Sequence, residues 1–206
     1  MIEQDEVVLR SGAVLRCGSD QNLWVTLDRQ RVVLPYPNAG LGGGSMVVAP
    51  DERHAALFVF SGQTELGFEL FSLVPALRHV GGLPYRIGES DPPKFSSDGS
   101  WLVLLVAIAP SVDGTDAEEL LDPDADGEVV IDWAELVVQP IPDGTPIVVP
   151  VSTRAPASLD LETLSDWNVF GALELRGQRA VIRLPWGEVE VPIPPAGGIC
   201  TPPWSP

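Results

Sequence analysis

Glycine and proline interrupt this chain more often than long helices allow. The 206 residues include 20 glycines and 21 prolines, and both residue types end helices or mark turns. Between them lie short runs rich in valine, leucine, isoleucine and aromatic residues, which is typical of β-strands. Such runs cover residues 55–60, 101–108 and 129–138. The pattern predicts an all-β fold with helix limited to a few turns.

The length and composition favour one compact domain over residues 1–206. The chain is 45% hydrophobic, which is enough for a buried core. Its first six residues, MIEQDE, are acidic where a secretory signal is basic. The longest apolar run, 101–109, has nine residues, whereas a membrane-crossing helix needs about 20. We therefore expect a cytoplasmic protein with no membrane partner.

The charge is strongly acidic and unevenly placed. The net charge is −17, with Lys94 the only lysine beside eleven arginines. We do not expect the protein to bind nucleic acid, because contacts with phosphate groups need clustered cations. Residues 95–153 hold twelve Asp and Glu and no Lys, Arg or His. This stretch predicts an acidic insertion at about 110–128 that docks a basic protein partner. Separately, the preference for arginine over lysine indicates a bacterial protein.

Two segments repeat at an offset of 47 residues, with Asp51 matched to Asp98. In each copy an Asp turn leads into an apolar strand, and the first copy continues into the strand at 66–73. Over roughly a quarter of the chain this resembles the repeat of WD40-like β-propellers of the TolB type. The resemblance implies a small propeller of about four blades, each of roughly 40–45 residues, stacked around an axis. It also implies that the first and last strands lie close together.

Two other architectures have the same number of strands. A β-sandwich or an irregular barrel also consists of short strands separated by turns. In each case the chain ends in a proline-rich tail from about residue 192, which either packs on the domain or docks into a partner. The six tryptophans add recognition capacity, which suits a partner that binds aromatic side chains.

The acidic insertion contains one candidate metal loop. Residues 122–127 read D-x-D-x-D-G, which places carboxylates at alternate positions, as calcium loops do for an ion that takes 6–8 oxygen ligands. It is similar to the hairpin calcium loops of integrin-type propellers, but Val130 and Trp133 stand where closing ligands are needed. The alternative is a solvated acidic turn. The candidate calcium ligands are Asp122, Asp124, Asp126, Glu128 and Asp132.

No motif indicates a catalytic centre. The two histidines, His54 and His79, lie outside any recognisable nucleophile–base pattern, and no cofactor other than calcium is suggested. The leading hypothesis is therefore a non-enzymatic binding or scaffold protein. The alternatives are a hydrolase or lyase whose dispersed carboxylates converge at the blade axis, and a calcium-stabilised binding module.

Overall fold

The computed structural model describes residues 5–19, 22–37, 41–61, 65–88, 90–108, 133–142, 144–152, 169–184 and 187–193. All regular secondary structure in these ranges is β-strand, so the all-β prediction is confirmed. Within them, no helix is long and apolar enough to span a bilayer.

The strands form four antiparallel sheets, in which neighbours along the chain are neighbours in the sheet. Sheet A contains β1 (Asp5–Val8), β2 (Val14–Ser19), β3 (Asn22–Leu27) and β4 (Gln30–Pro37). Sheet B contains β5 (Leu41–Val48), β6 (His54–Ser61), β7 (Glu65–Ser72) and β8 (Arg78–Ile87). Sheet C contains β9 (Lys94–Phe95), β10 (Trp101–Ile108), β11 (Trp133–Pro140) and β12 (Ile147–Ser152). Sheet D contains β13 (Leu173–Arg176), β14 (Arg179–Leu184) and β15 (Gly187–Pro192).

This arrangement differs from both alternative architectures. There are four sheets where a sandwich has two, and none of them is closed into a barrel.

The sheets stack in chain order through three hydrophobic cores. Because side chains alternate along a strand, β6 directs Leu57 into the core shared with sheet A and Phe58 into the core shared with sheet C. In the same way, β10 directs Leu104 towards sheet B and Leu105 towards sheet D. Burial on both faces explains why these two strands are almost continuously apolar. Among the described residues, no core cluster joins sheet D back to sheet A.

The turns before β6 and β10 are equivalent, as predicted for Asp51 and Asp98. The same two backbone hydrogen bonds close them at an offset of 47 residues: Ala49 N–H to His54 O and Glu52 N–H to Ala49 O in one, Ser96 N–H to Trp101 O and Gly99 N–H to Ser96 O in the other. Asp51 Oδ1 accepts from Arg53 N–H and Asp98 Oδ1 from Ser100 N–H, each at 3.0 Å. Glu52 adopts the left-handed φ of 55° that Gly99 adopts at 71°.

Sheet D has a related turn at a different place. In sheets B and C the turn follows the first strand, whereas in sheet D it precedes the first strand, β13. Ala172 N–H donates to Val169 O, and Arg183 N–H on β14 donates to Ala172 O. In sheet C, Ile141 N–H, which follows β11, donates to Ser100 O, which precedes β10. The strands β13, β14 and β15 therefore correspond to β10, β11 and β12.

The last strand of each sheet in chain order is one of its two edge strands, which we call the outer edge, and it contains proline. These edges are β4, β8, β12 and β15, and they carry Pro35, Pro84, Pro150 and Pro192. Proline lacks the N–H that would pair with a further strand. The edges are therefore poorly suited to recruiting another chain by strand addition.

Candidate functional site

The two end sheets of the stack each present a face on which no core cluster of the described residues lies. We call these the outward faces of sheets A and D. The outward face of sheet A carries Glu6, Val8, Arg16, Trp24, Arg31 and Val33. The outward face of sheet D carries Glu174, Arg176, Arg179, Arg183, Glu188 and Glu190. The two faces therefore differ in chemistry: one mixes tryptophan and valine with charged residues, and the other carries arginine and glutamate.

Trp24 is the centre of the outward face of sheet A. It lies opposite Gly18 on β2, where an added Cβ would come within 2.6 Å of the indole Cζ2. The ring therefore covers the Gly18 backbone, because only glycine leaves it that space. The Arg31 guanidinium carbon lies 5.0 Å from the ring centroid, which is a cation–π contact. Trp24 is thereby held in place while still partly exposed.

Aliphatic side chains extend this face on both sides of Trp24. Val8 on β1 is 65% exposed and Val33 on β4 is 51% exposed. On β2, Arg16 Nε donates to Glu6 Oε2 at 2.6 Å. Tryptophan and arginine are the residue types most enriched at protein-binding hot spots. This face therefore has the composition of a docking surface.

The outward face of sheet D is occupied by ion pairs among its own residues. Arg176 donates two hydrogen bonds to Glu174 and two to Glu188, at 2.9 to 3.1 Å. Arg183 contacts the same two carboxylates, so the four side chains form a closed ring. The hydrogen bonds from Arg176 lower the pKa of both Glu174 and Glu188. The charged side chains on the outward face of sheet D are already paired with one another, which leaves fewer of them to bind a partner.

Glu69, which is buried, and His79, which is partly exposed, form a polar pair in sheet B. Glu69 is only 4% exposed, and its Oε2 lies 2.6 Å from His79 Nε2. The carboxylate fits because Gly82 has no side chain: a Cβ at this position would lie only 2.6 Å from Glu69 Oε2. The His79 ring also packs at 5.5 Å from Phe71. In the described chain no serine, threonine or cysteine is hydrogen-bonded to His79, so the pair lacks the nucleophile of a hydrolytic triad.

Two further ionisable side chains of the described residues, Cys17 and His54, have pKa values that are shifted by burial. Burial raises the pKa of the Cys17 thiol to about 11, which keeps it protonated. Burial also lowers the pKa of His54, against the opposing effect of Asp51. The His54 Nδ1 atom is buried without a hydrogen-bond partner.

Among the described residues, two open grooves are lined by neighbouring sheets. One, of about 130 Å³, separates sheets B and C and has no ionisable residue among its described lining. The other, of about 500 Å³, separates sheets A and B, and its ionisable lining residues are Asp28 and Arg29 in the exposed β3–β4 turn. Neither groove brings buried acids and bases together, as a catalytic pocket does.

The predicted calcium ligands fall outside the described residues. Asp122, Asp124, Asp126, Glu128 and Asp132 all lie between Ile108, the last residue of β10, and Trp133, the first of β11. Within the described ranges, no three His, Cys, Asp or Glu residues are grouped so that they could hold a metal. The calcium loop therefore stays a prediction.

The acidic character of the chain also lies mostly outside the described residues. These contain eleven Lys and Arg and thirteen Asp and Glu, a net charge of −2 out of −17. The sheets themselves are nearly neutral. The acidic surface expected from the sequence must be sought in the remaining residues.

Sequence reasoning counted Trp24 among six tryptophans that add recognition capacity but did not identify the outward face. The β3–β4 hairpin could have indicated this face. In the hairpin Leu27 pairs with Gln30, and this register brings Trp24 and Arg31 onto the same face of the sheet. Alternating charges at 174, 176, 188 and 190 likewise indicate one exposed charged face.

The fold and the site define an all-β protein of stacked antiparallel sheets with an exposed tryptophan–arginine face. No family model, no curated protein and no solved structure matches the chain. The WD40-like resemblance therefore stays a prediction, and function has to be argued from the molecule itself.

Proposed function

We propose that this protein is a non-enzymatic docking module built on a propeller-like arrangement of four blades. Three features support the arrangement: each sheet follows chain order, successive sheets share cores, and the first strand of sheet B, β5, contacts the first strands β1 and β9 of its neighbours. In propellers the first strand of each blade lies nearest the axis. On this proposal the blades form an open arc, since the outward faces of sheets A and D are exposed rather than packed together.

The outward face of sheet A is the docking surface on this proposal. The observation that carries it is a partly exposed Trp24 that shares one face with the exposed Arg31, Val8 and Val33. Trp24 is preorganised between Gly18 and Arg31, so little side-chain entropy is lost when a partner covers it. Because the outer edges carry proline, the partner is recognised through side chains on a sheet face rather than by an added strand.

The acidic insertion at about 110–128 supplies a second element on this proposal. Its carboxylates attract a basic protein partner over long range and speed its encounter. The outward face of sheet A then provides the short-range contacts.

The enzymatic alternative has less support. A dispersed-carboxylate mechanism needs two acids in a shared site. Among the described residues, Glu69 is the one buried carboxylate, and it is paired with His79.

The test compares two matched surface variants. Arg31→Ala removes the cation over Trp24, and Arg179→Ala removes an exposed arginine that pairs with Glu190 on the opposite end face. Proteins cross-linked to each variant in cells are quantified by mass spectrometry. We expect one partner to be at least tenfold depleted with Arg31→Ala, by analogy with hot-spot arginines worth about 2 kcal/mol, and retained with Arg179→Ala. Equal recovery with both variants would contradict the proposal.

A further inference from the structure

The groove of about 500 Å³ that is lined by sheets A and B has apolar residues from both sheets. Its volume lies within the range of ligand sites. Leu27 of β3 comes from sheet A, and Leu73 and Pro75 come from the β7–β8 loop of sheet B. Gln30 Oε1, at the start of β4, accepts from Leu77 N–H in that loop at 2.7 Å. This hydrogen bond ties the two sides of the groove together.

Part of the β7–β8 loop is apolar and open to solvent. Pro75 and Ala76, which line the groove, are exposed. Val74, next to Pro75 in the chain, is 51% exposed. Covering exposed apolar surface with another apolar group removes it from water and is favourable. An apolar side chain is therefore the first feature that a ligand of this groove should have.

Arg29 supplies an unused cation at the same groove. It lines the groove from the β3–β4 turn and is exposed. In the described part of the chain its side chain forms no ion pair, whereas Arg16 of the same sheet pairs with Glu6. A guanidinium holds both oxygens of a carboxylate in its planar fork. A carboxylate is therefore the second feature of the ligand.

Asp28 limits the negative charge that the groove accepts. It lines the groove beside Arg29, and its Oδ1 accepts from Val14 N–H on β2 at 3.4 Å. Among the described lining residues, Arg29 is the one cation. A second negative charge on the ligand would lie near Asp28 without a cation to offset it. The ligand should therefore carry a single carboxylate.

We propose that this groove binds the C-terminal residue of a partner peptide chain, with an apolar side chain against Leu27 and the β7–β8 loop and the terminal carboxylate on Arg29. Capture of a terminal carboxylate is a recurrent mode of peptide recognition. Sites for free small molecules enclose most of the ligand, whereas this groove is open and suits a chain end whose preceding residues remain in solvent. The groove shares no lining residue with the outward face of sheet A, so this proposal is independent of the proposed docking surface.

The test uses the ¹⁵N-labelled full-length protein and the peptide acetyl-Ala-Ala-Leu with a free terminal carboxylate. The same peptide with a C-terminal amide removes the charge, and isocaproate carries the leucine side chain and a carboxylate without the peptide. We expect saturable shifts of amide resonances within 27–30 and 73–77 with the acid peptide, and affinities about fivefold or more weaker for the other two ligands. An amide peptide that binds equally well would overturn recognition of the carboxylate. Isocaproate that binds equally well would overturn the assignment to a chain end.

Two variants of the β3–β4 turn have opposite expected effects. Arg29→Gln should weaken binding of the acid peptide about fivefold and leave binding of the amide unchanged. Asp28→Asn should tighten binding of the acid peptide because it removes the neighbouring negative charge. Asparagine still accepts from Val14 N–H and tolerates the left-handed φ of 52° at this position.

The control is Arg179→Gln, an exposed arginine on the outward face of sheet D, which should bind the acid peptide like the wild type. Full affinity in Arg29→Gln, or reduced affinity in Asp28→Asn, would overturn the proposal. If a variant fails to fold, the comparison of acid and amide peptides on the wild-type protein still decides the matter.

Discussion

Arg176 spans sheet D from its first strand to its last. From β13 it crosses β14 and donates to both carboxylate oxygens of Glu188 on β15, at 2.9 and 3.1 Å. Val181 lies between these strands on the same face and has no exposed surface. The charged ring therefore ties three strands together on the solvent side of the sheet.

The first prediction concerns this ring. Arg176→Lys should lower the melting temperature more than Arg179→Lys, because lysine cannot hold two carboxylates bidentately. Arg179 pairs with Glu190 alone among the described ion pairs, which makes it the matched control. The difference should shrink at 1 M sodium chloride, where the Debye length is about 3 Å. Thermal melts of both variants at low and high salt check this, and a salt-independent difference would contradict the electrostatic origin.

The second prediction concerns His54 and pH. Its pKa is lowered from 6.5 in the folded state, chiefly by burial. The unfolded chain therefore binds the proton more readily, and stability falls as pH drops below the unfolded pKa of about 6.5. We expect the free energy of unfolding to decrease between pH 7.5 and 5.5, and to decrease less in His54→Gln. Urea unfolding across this range measures it, and identical slopes for the two proteins would show that His54 is not the source.

The third prediction concerns Gly82. An alanine Cβ there would lie 2.5 Å from Phe68 O and 2.6 Å from Glu69 Oε2, so the backbone or the Glu69–His79 pair has to shift. We expect Gly82→Ala to destabilise the protein by about 1–3 kcal/mol. Gly177→Ala is the comparison, since its φ of 60° brings strain but nothing lies within 4 Å. That strain should cost about 1 kcal/mol. Urea unfolding separates the two, and an equal cost would argue against the steric role of Gly82.

The fourth prediction concerns calcium. We expect calcium to raise the melting temperature no more than sodium at matched ionic strength, because Val130 and Trp133 occupy the positions of the closing ligands. A cation that bound only the folded loop would stabilise it in proportion to the logarithm of its concentration. Differential scanning fluorimetry with both salts is the measurement. A calcium-specific rise that disappears in Asp124→Ala would instead establish the metal loop.

The sequence predicted those parts of the fold that depend on nearby residues. The strands at 55–60 and 101–108 follow from local runs, and the turns at Asp51 and Asp98 follow from side chains that bond two residues away. The observed strand β6 begins one residue before the first run and ends one residue after it. Local chemistry is sufficient for these features, because each involves neighbours within one turn.

The stacking and the sites depend on distant residues and could not be predicted in the same way. Lys94 meets Leu173 across 79 residues, and no local pattern specifies that separation.

The three successive cores have a consequence for how the molecule opens. Sheets B and C are each covered by cores on both faces, whereas sheets A and D are covered on one. In a linear stack, stability is approximately the sum of nearest-neighbour interfaces, so the end units separate first and the middle last. Amide hydrogens of β6 and β10 should then exchange with deuterium only through global unfolding, while those of β2 and β14 exchange through partial opening at lower free energy. Amide protection should accordingly be graded from the centre of the stack towards both of its ends.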